Sequence, residues 1–209
     1  MDKRKALKLA KKYVRIKPLP SSLMAEFKRN GWENLLDEVY ELTATYILEH
    51  QNTPKGVMAH LKQILPSIAF YKVLVEKEGS TEKALEIYEK FCFIKIKKMA
   101  KMIPILMKIP GLYKKVPALM EKMLDAIFGP KAGFEYVRKE CNNGFAADMT
   151  KCPYVKTCKK YDCPELAQFF CQSDDYCYGN MHPKLVWGRT KTLGTGGDCC
   201  DFKLYIKND

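Results

Sequence analysis

The chain changes its pattern once, at Gly129-Pro130, and this change restricts the fold more than any other feature. Before it, apolar residues recur every three to four positions, which is typical of amphipathic helices. After it, apolar runs flank two turn sequences, Asn142-Asn143-Gly144 and Gly194-Thr195-Gly196-Gly197, which predict hairpins. Helices that precede an antiparallel sheet are typical of the α+β class.

The first part predicts a series of helices. A basic helix over residues 3–17 is ended by Pro18 and Pro20. The longer predicted helices lie near residues 32–50, 55–77 and 82–100. Pro66 is expected to kink or interrupt the second of these. The wide apolar faces of the helices at 32–50 and 55–77 make a homodimer through helices plausible.

The second part predicts a small sheet. Strands on each side of the two turns form two hairpins, and short helices between residues 153 and 181 connect them. The expected fold is an N-terminal helical layer (1–130) packed on a small C-terminal antiparallel sheet of two hairpins with a helical crossover (131–209). With no internal repeat and no low-complexity linker, we expect one domain over 1–209.

Residues 91–124 form a lysine-rich apolar segment with eight lysines and one acidic residue. Pro104, Pro110 and Pro117 are expected to divide it into short helical pieces. One interpretation is an interfacial membrane segment, with weak contact to a membrane surface, or a mobile lid over an apolar pocket. The alternative is a broken helix on the core, whose lysine stems cover its edge.

The net charge of +12 is concentrated in the helical part, with +10 in residues 1–130 and +2 in residues 131–209. Such a charge permits contact with nucleic acid or anionic lipid. No zinc-finger, helix-turn-helix or RNA-binding motif accompanies it, so no nucleic-acid partner is expected. No apolar stretch is long enough for a transmembrane helix, and the basic start lacks the apolar core of a secretory signal. The sequence therefore predicts a cytoplasmic protein with reduced thiols.

Eight of the nine cysteines lie at or after Cys141, and no pair has the spacing of a zinc knuckle. The predicted topology brings Cys152, Cys171 and Cys200 to one end of the sheet, with Asp174 nearby. Three thiolates and a carboxylate suit Zn²⁺, whereas free buried cysteines behave as small apolar residues. Cys199 and Cys200 are adjacent in a predicted strand, so their side chains should point to opposite faces. Packing roles are expected for four of the other thiols: Cys158, Cys163, Cys177 and Cys199.

Residues 148–202 carry motifs that appear in a fixed order: Thr150-Lys151-Cys152-Pro153, Cys171-Gln172-Ser173-Asp174, Arg189-Thr190-Lys191-Thr192-Leu193, Gly197 and Cys200-Asp201-Phe202. This set resembles the L-2-amino-thiazoline-4-carboxylic acid hydrolases. The resemblance selects Cys200 rather than Cys199 as the cysteine of the final motif. A more distant likeness, based mostly on layout, is to small-molecule binding domains of the 4-vinyl-reductase type.

The resemblance implies hydrolysis of a cyclic isothiourea that carries a carboxylate. Arg189 would hold the substrate carboxylate, with Thr192 and His182 as further substrate-binding candidates. Asp174 would be the base or a metal ligand. Cys152, Cys171 and Cys200 would be zinc ligands with Asp174, or one nucleophile with two neighbouring thiols. The sequence does not distinguish between metal-bound water and a thiolate as the attacking nucleophile. The alternative function is a non-catalytic domain that binds a small molecule or senses metal or redox state.

Overall fold

The structure is a computed structural model, and it describes residues 1–14, 25, 27–32 and 34–208. The chain divides into two compact units, residues 1–91 and residues 92–209. The boundary falls inside a long helix rather than at the change of pattern near Gly129. The expectation of one domain stays a prediction.

The first unit is helical. It contains α1 (Lys3–Tyr13), α2 (Leu35–Glu49), α3 (Lys55–Glu78) and the start of α4 (Thr81–Leu106). These bounds confirm the helices predicted from the apolar spacing. The predicted stop at Pro18 and Pro20 lies outside the described residues. The α3 helix continues through Pro66, so Pro66 does not interrupt it, and a kink there stays a prediction.

The core of the first unit lies along α3, where the apolar side chains repeat at helical spacing. Leu61, Ile64, Leu65 and Ile68 are all fully buried. Aromatic rings extend this core toward α4, because Phe70 lies 4.7 Å from Phe91 between ring centroids.

The second unit contains the rest of α4, then α5 (Leu112–Ile127), α6 (Pro153–Lys160) and α7 (Ala167–Tyr178). The lysine-rich segment is divided at one place. Pro104 and Pro117 lie inside helices, and only Pro110 falls in the break between α4 and α5. Gly111, at a φ of 75°, allows the chain to turn there, because a side chain disfavours this left-handed conformation.

Four antiparallel strands form one sheet in the second unit: β1 (Glu135–Lys139), β2 (Gly144–Lys151), β3 (Leu185–Trp187) and β4 (Cys200–Ile206). Their order across the sheet is β1-β2-β4-β3. The first hairpin is confirmed, and Asn143 has the positive φ of 56° that its turn requires. The α+β class is therefore confirmed.

The second hairpin differs from its prediction. The β3 strand ends at Trp187 instead of continuing to Lys191, and the glycine-rich sequence lies in a short 3₁₀ turn (Leu193–Thr195) rather than in a tight hairpin turn. The physical reason lies in Asp201, whose carboxylate accepts hydrogen bonds from the backbone N–H groups of Thr190 and Lys191 at 2.9 and 2.8 Å. These bonds replace the strand ladder.

One face of the sheet packs against α5. In β2, burial alternates so that Phe145, Ala147 and Met149 point into the core. Cys200 and Leu204 of β4 belong to the same apolar cluster. In the described part of the chain, none of the helices has both the length and the apolar character needed to cross a membrane.

Candidate functional site

Three cysteines, which we call the thiol cluster, come from three separate elements of the second unit. Cys152 ends the β2 region and is the N-cap residue of α6. Cys171 lies in the first half of α7, and Cys200 is the first residue of β4. The structure thus brings together the cysteines that the predicted topology placed at one end of the sheet.

Cys171 is the thiol with the strongest stabilisation of its charged form. The hydrogen bond from the Cys200 thiol, against an opposing effect of burial, lowers the pKa of Cys171 to about 6. The Thr192 hydroxyl and the positive charge of Arg189 lower this pKa further, as does the backbone N–H of Gly194. A thiolate that receives donors in this way is a nucleophile at neutral pH.

Cys200 behaves as the donor of the pair. The hydrogen bond that its thiol makes to Cys171, together with burial, raises the pKa of Cys200 well above its ordinary value. Its sulfur also accepts the backbone N–H of Leu193 at 3.2 Å. Cys200 therefore keeps its proton while Cys171 carries the negative charge.

Cys152 is a neutral thiol next to this pair. Burial raises its pKa to about 11, although the backbone N–H groups of Val155 and Tyr154 partly oppose this effect. The negative charges of Cys171 and Asp174 raise the pKa further, because they disfavour another anion nearby. Cys152 therefore adds an uncharged sulfur to the wall of the site.

Asp174 lies one helical turn after Cys171, and the spacing of three residues puts both on the same face of α7. Burial raises the pKa of Asp174 to about 7, and the positive charge of Arg189 only partly offsets this. The side chain as a whole keeps 33% of its surface exposed. Asp174 is therefore a carboxyl group that exchanges a proton near neutral pH.

Arg189 connects the thiol-bearing helix to the loop that precedes β4. Its guanidinium donates to Asp174 at 3.1 Å, to Asp175 at 2.6 Å and to the carbonyl oxygen of Cys171 at 2.6 Å. Only 2% of its side chain is exposed. The hydrogen bonds hold α7 and the loop in one arrangement.

Two aromatic rings flank the guanidinium of Arg189. Its central carbon lies 5.5 Å from the ring centroids of both Trp187 and Phe202. The Trp187 indole N–H also donates to Asp175 at 2.8 Å. Stacking and hydrogen bonding therefore restrict Arg189 on several sides.

The loop between β3 and β4 presents its backbone to Cys171. Thr192 is buried, and its hydroxyl accepts the N–H of Thr195 at 3.2 Å. Gly197 donates to the Thr192 carbonyl at 2.8 Å, and a Cβ on Gly197 would lie only 2.9 Å from that oxygen. The glycines thus allow a tight loop that directs N–H groups toward the two sulfurs.

His182 has other neighbours. Its ring stacks on Tyr113 with 4.1 Å between centroids, and its Nδ1 accepts the backbone N–H of Lys184 at 3.1 Å. Neither partner belongs to the thiol cluster. The substrate-binding role of His182 stays a prediction.

The remaining predicted packing cysteines are buried free thiols: Cys158, Cys163, Cys177 and Cys199. The charges of Asp148, Lys191 and Asp198 act on Cys199, whereas Cys171 and Cys152 act on Cys200. The two adjacent cysteines therefore have different surroundings, although Cys199 lies just before β4 and not inside a strand as predicted.

The zinc prediction gains no support from the described ranges. No group of three or more His, Cys, Asp or Glu side chains among them has a placement that suits a metal ion.

Sequence reasoning missed three residues of the site. Gly194, which was interpreted as part of a hairpin turn, lies directly against the sulfur of Cys171. Asp175 and Trp187 position Arg189, and neither was a candidate. The spacing of Asp175 four residues after Cys171 was a signal, because it places both on one helix face.

A family model described as L-2-amino-thiazoline-4-carboxylic acid hydrolase matches residues 58–204, more than two thirds of the chain. The match covers the whole thiol cluster together with Asp174 and Arg189. No curated protein and no solved structure matched the chain. The suspected likeness to 4-vinyl-reductase-type domains has no support from these comparisons.

Proposed function

The chain belongs to the L-2-amino-thiazoline-4-carboxylic acid hydrolase family, and from this premise we propose that it opens a carboxylated cyclic isothiourea ring by nucleophilic attack of the Cys171 thiolate. The observation that carries the proposal is the set of donors around this sulfur. The Cys200 thiol, the Thr192 hydroxyl and the Gly194 N–H all stabilise its negative charge. Donors arranged in this way make a thiolate available without a metal ion.

The proposed reaction begins at C2 of the ring, the carbon bonded to the ring sulfur and to two nitrogens. The Cys171 thiolate forms a bond to C2, and the bond between C2 and the ring sulfur breaks. The departing sulfur takes a proton from Asp174. The intermediate is an open-chain isothiourea linked through sulfur to Cys171.

Water completes the reaction. Its oxygen bonds to C2, one of its protons goes to the imine nitrogen and the other goes to the Asp174 carboxylate. The bond between C2 and the Cys171 sulfur breaks, and the electron pair returns to the thiolate. The product is a carbamoyl-cysteine, and both protein groups recover their starting protonation states.

Asp174 suits the acid role because burial raises its pKa to about 7. A carboxyl group with this pKa is partly protonated at neutral pH, so it can give a proton and later take one back. Its position one turn after Cys171 on α7 places it beside the reacting sulfur.

Arg189 has a different role in this proposal from the one predicted from the resemblance. Its donors already meet Asp174, Asp175 and the Cys171 carbonyl, so we assign it as a positioning residue that orients the acid. Binding of the substrate carboxylate by Arg189 stays a prediction. The same holds for Thr192, whose hydroxyl serves the Cys171 sulfur here.

The proposal is tested by incubating the full chain with 2-amino-thiazoline-4-carboxylate and following carbamoyl-cysteine by mass spectrometry. We expect many product molecules per protein molecule, and a loss of at least about 1,000-fold in Cys171→Ser, because the alcohol is a much weaker nucleophile than the thiolate. The matched control is Cys199→Ser, which changes a buried thiol outside the cluster. Full turnover in Cys171→Ser would refute the nucleophile. A single adduct on the wild-type protein without turnover would favour the non-catalytic alternative.

A further inference from the structure

The second half of α4 and the turn after it expose an apolar surface, which we call the outer face. It consists of five large side chains that are each 53–62% exposed: Met99, Met102, Ile105, Leu106 and Ile109. Exposed apolar residues scattered over a surface are ordinary, but five within eleven positions form a continuous patch.

The core does not account for the outer face. Other residues of this region are buried, among them Phe93 in the middle of α4 and Met107 directly after its last residue. Phe93 contacts Phe169 and Tyr176 of α7, at 6.0 and 4.9 Å between ring centroids. At 100° per residue, Phe93 and Met107 point in nearly the same direction, and Met102 points to roughly the opposite side of the helix. The helix is therefore apolar on two faces, and among the residues that the structure describes only one of these faces is packed.

At 100° per residue, Lys97, Lys101 and Lys108 lie along one edge of the outer face, and Lys98 lies among its apolar residues. Lys97, Lys98, Lys101 and Lys108 are all exposed. In the part of the chain that the structure describes, the last three form no ion pair. Residues 92–124 contain eight lysines against one acidic residue, Glu121. The outer face is thus accompanied by positive charge that the described acidic residues do not neutralise.

We propose that the outer face binds the surface of a lipid bilayer that contains anionic lipids. Apolar side chains of a helix that lies in the interface enter the boundary between headgroups and acyl chains, while lysines reach the phosphate level. Each lysine near an anionic surface contributes about 1 kcal/mol, so the row at the edge of the patch adds substantially to apolar burial.

A second copy of the chain fits the same patch less well. In a two-fold contact whose axis is perpendicular to α4, the lysine rows of both copies would come together beside the apolar centre. Like charges in such a contact repel each other. The charge pattern therefore favours an anionic partner over self-association.

The experiment is cosedimentation of the full chain with phosphatidylcholine vesicles, with and without phosphatidylserine, at low and high salt. We expect binding to the vesicles that contain phosphatidylserine. High salt should weaken this binding, and so should the omission of phosphatidylserine. The double variant Met102→Asp, Ile105→Asp should bind at least about tenfold more weakly, because it places two charges in the apolar layer. Removing lysines with Lys98→Gln, Lys101→Gln should lower affinity by roughly fivefold per charge.

Two matched controls separate binding by the outer face from nonspecific apolar adsorption and from the effect of total charge. Val137→Asp changes an apolar side chain of β1 that is 54% exposed, and it should leave vesicle binding unchanged. Lys8→Gln, Lys12→Gln removes two charges from α1, and it should lower binding much less than the same loss from α4. Circular dichroism of each variant confirms that the fold persists.

Three outcomes would overturn the proposal. One is absence of sedimentation with vesicles that contain phosphatidylserine. Another is equal loss of binding in the α1 and α4 lysine variants, which would assign the contact to total charge. The third is a dimer in analytical ultracentrifugation that Met102→Asp, Ile105→Asp dissociates while vesicle binding is absent, which would assign the face to a second copy.

Discussion

Gly194 approaches Cys171 so closely that a Cβ atom on the glycine would lie 2.7 Å from the cysteine sulfur. The same Cβ would lie 3.1 Å from the backbone of Ala167. No side chain fits there unless the loop or α7 moves. The glycine-rich loop and the nucleophile candidate are therefore matched in shape, and the loop N–H reaches the sulfur because a side chain is absent.

The first prediction follows from this contact. Gly194→Ala should lower kcat/KM by roughly 10- to 100-fold, because the displaced loop no longer directs its N–H at the thiolate. The control is Gly188→Ala, whose added Cβ would meet only Lys203 side-chain atoms at 3.5 Å or more. Steady-state kinetics on both variants checks this. Equal activity of Gly194→Ala and wild type would show that the loop N–H is not needed.

The second prediction concerns the reactivity of Cys171 with pH. Because the hydrogen bond from Cys200 lowers the pKa of Cys171 to about 6, the thiolate is present above that pH. Alkylation by iodoacetamide should therefore rise through pH 6 in the wild type. Cys200→Ala removes the donor, so the pKa rises and alkylation at pH 7 should slow by about tenfold. Peptide mass spectrometry assigns the modified cysteine.

Cys199→Ala is the matched control for this measurement, since Cys199 is also buried but lies in other surroundings. It should leave the alkylation profile of Cys171 unchanged. A wild-type midpoint near the ordinary thiol value would contradict the stabilised thiolate.

The third prediction concerns Asp174 and the pH dependence of turnover. Turnover should increase as pH rises through the lowered pKa of Cys171, because the thiolate forms. It should decrease as pH rises through about 7, where Asp174 loses the proton that it donates. The profile is thus a narrow bell between these two values. Asp174→Asn should reduce kcat by roughly 100-fold or more and remove the alkaline limb.

Asp175→Asn is the control for Asp174→Asn. Asp175 also accepts a hydrogen bond from Arg189, but it has no role as an acid in the proposed reaction. This variant should keep both limbs of the pH profile. Loss of the alkaline limb in Asp175→Asn would indicate that Asp175, and not Asp174, is the acid.

The fourth prediction separates the two roles considered for Arg189. If Arg189 is a positioning residue, Arg189→Lys should lower kcat by about tenfold with little change in KM. The reason is that a single ammonium group cannot hold the two aspartate carboxylates and the Cys171 carbonyl together. If Arg189 instead binds the substrate carboxylate, Arg189→Lys would raise KM. Initial rates over a range of substrate concentrations distinguish the two.

Arg189→Lys should also lower the free energy of unfolding by about 1–2 kcal/mol, reduced from the value for fully buried charges because Asp174 and Asp175 remain partly exposed. Arg138→Lys is the matched control. Arg138 pairs with Glu121 and Asp125 on the surface, where its side chain is 44% exposed and solvent screens the charges, so Arg138→Lys should change the stability much less than Arg189→Lys. Urea denaturation measures both variants.

Much of the fold was predictable from local patterns. Apolar spacing located α2, α3 and most of α4, because a buried helix face requires it. The Asn142-Asn143-Gly144 turn predicted the first hairpin, since these residues tolerate the positive φ that the turn needs. Local rules failed at β3, where the Asp201 carboxylate takes the N–H groups of Thr190 and Lys191 away from the ladder.

The sequence by itself determined the α+β class and identified Cys152, Cys171, Asp174 and Cys200 as candidates. Both follow from the order in which helices, strands and motifs succeed one another along the chain. Only the tertiary structure decided which thiol is the anion. That choice depends on the donors that reach each sulfur, and these come from Cys200, Thr192 and the Gly194 backbone, far from Cys171 along the chain. The tertiary structure also decided the pairing of Arg189 with α7. Asp174 and Asp175 lie 15 and 14 positions before Arg189, so they meet it only after the loop folds over the helix.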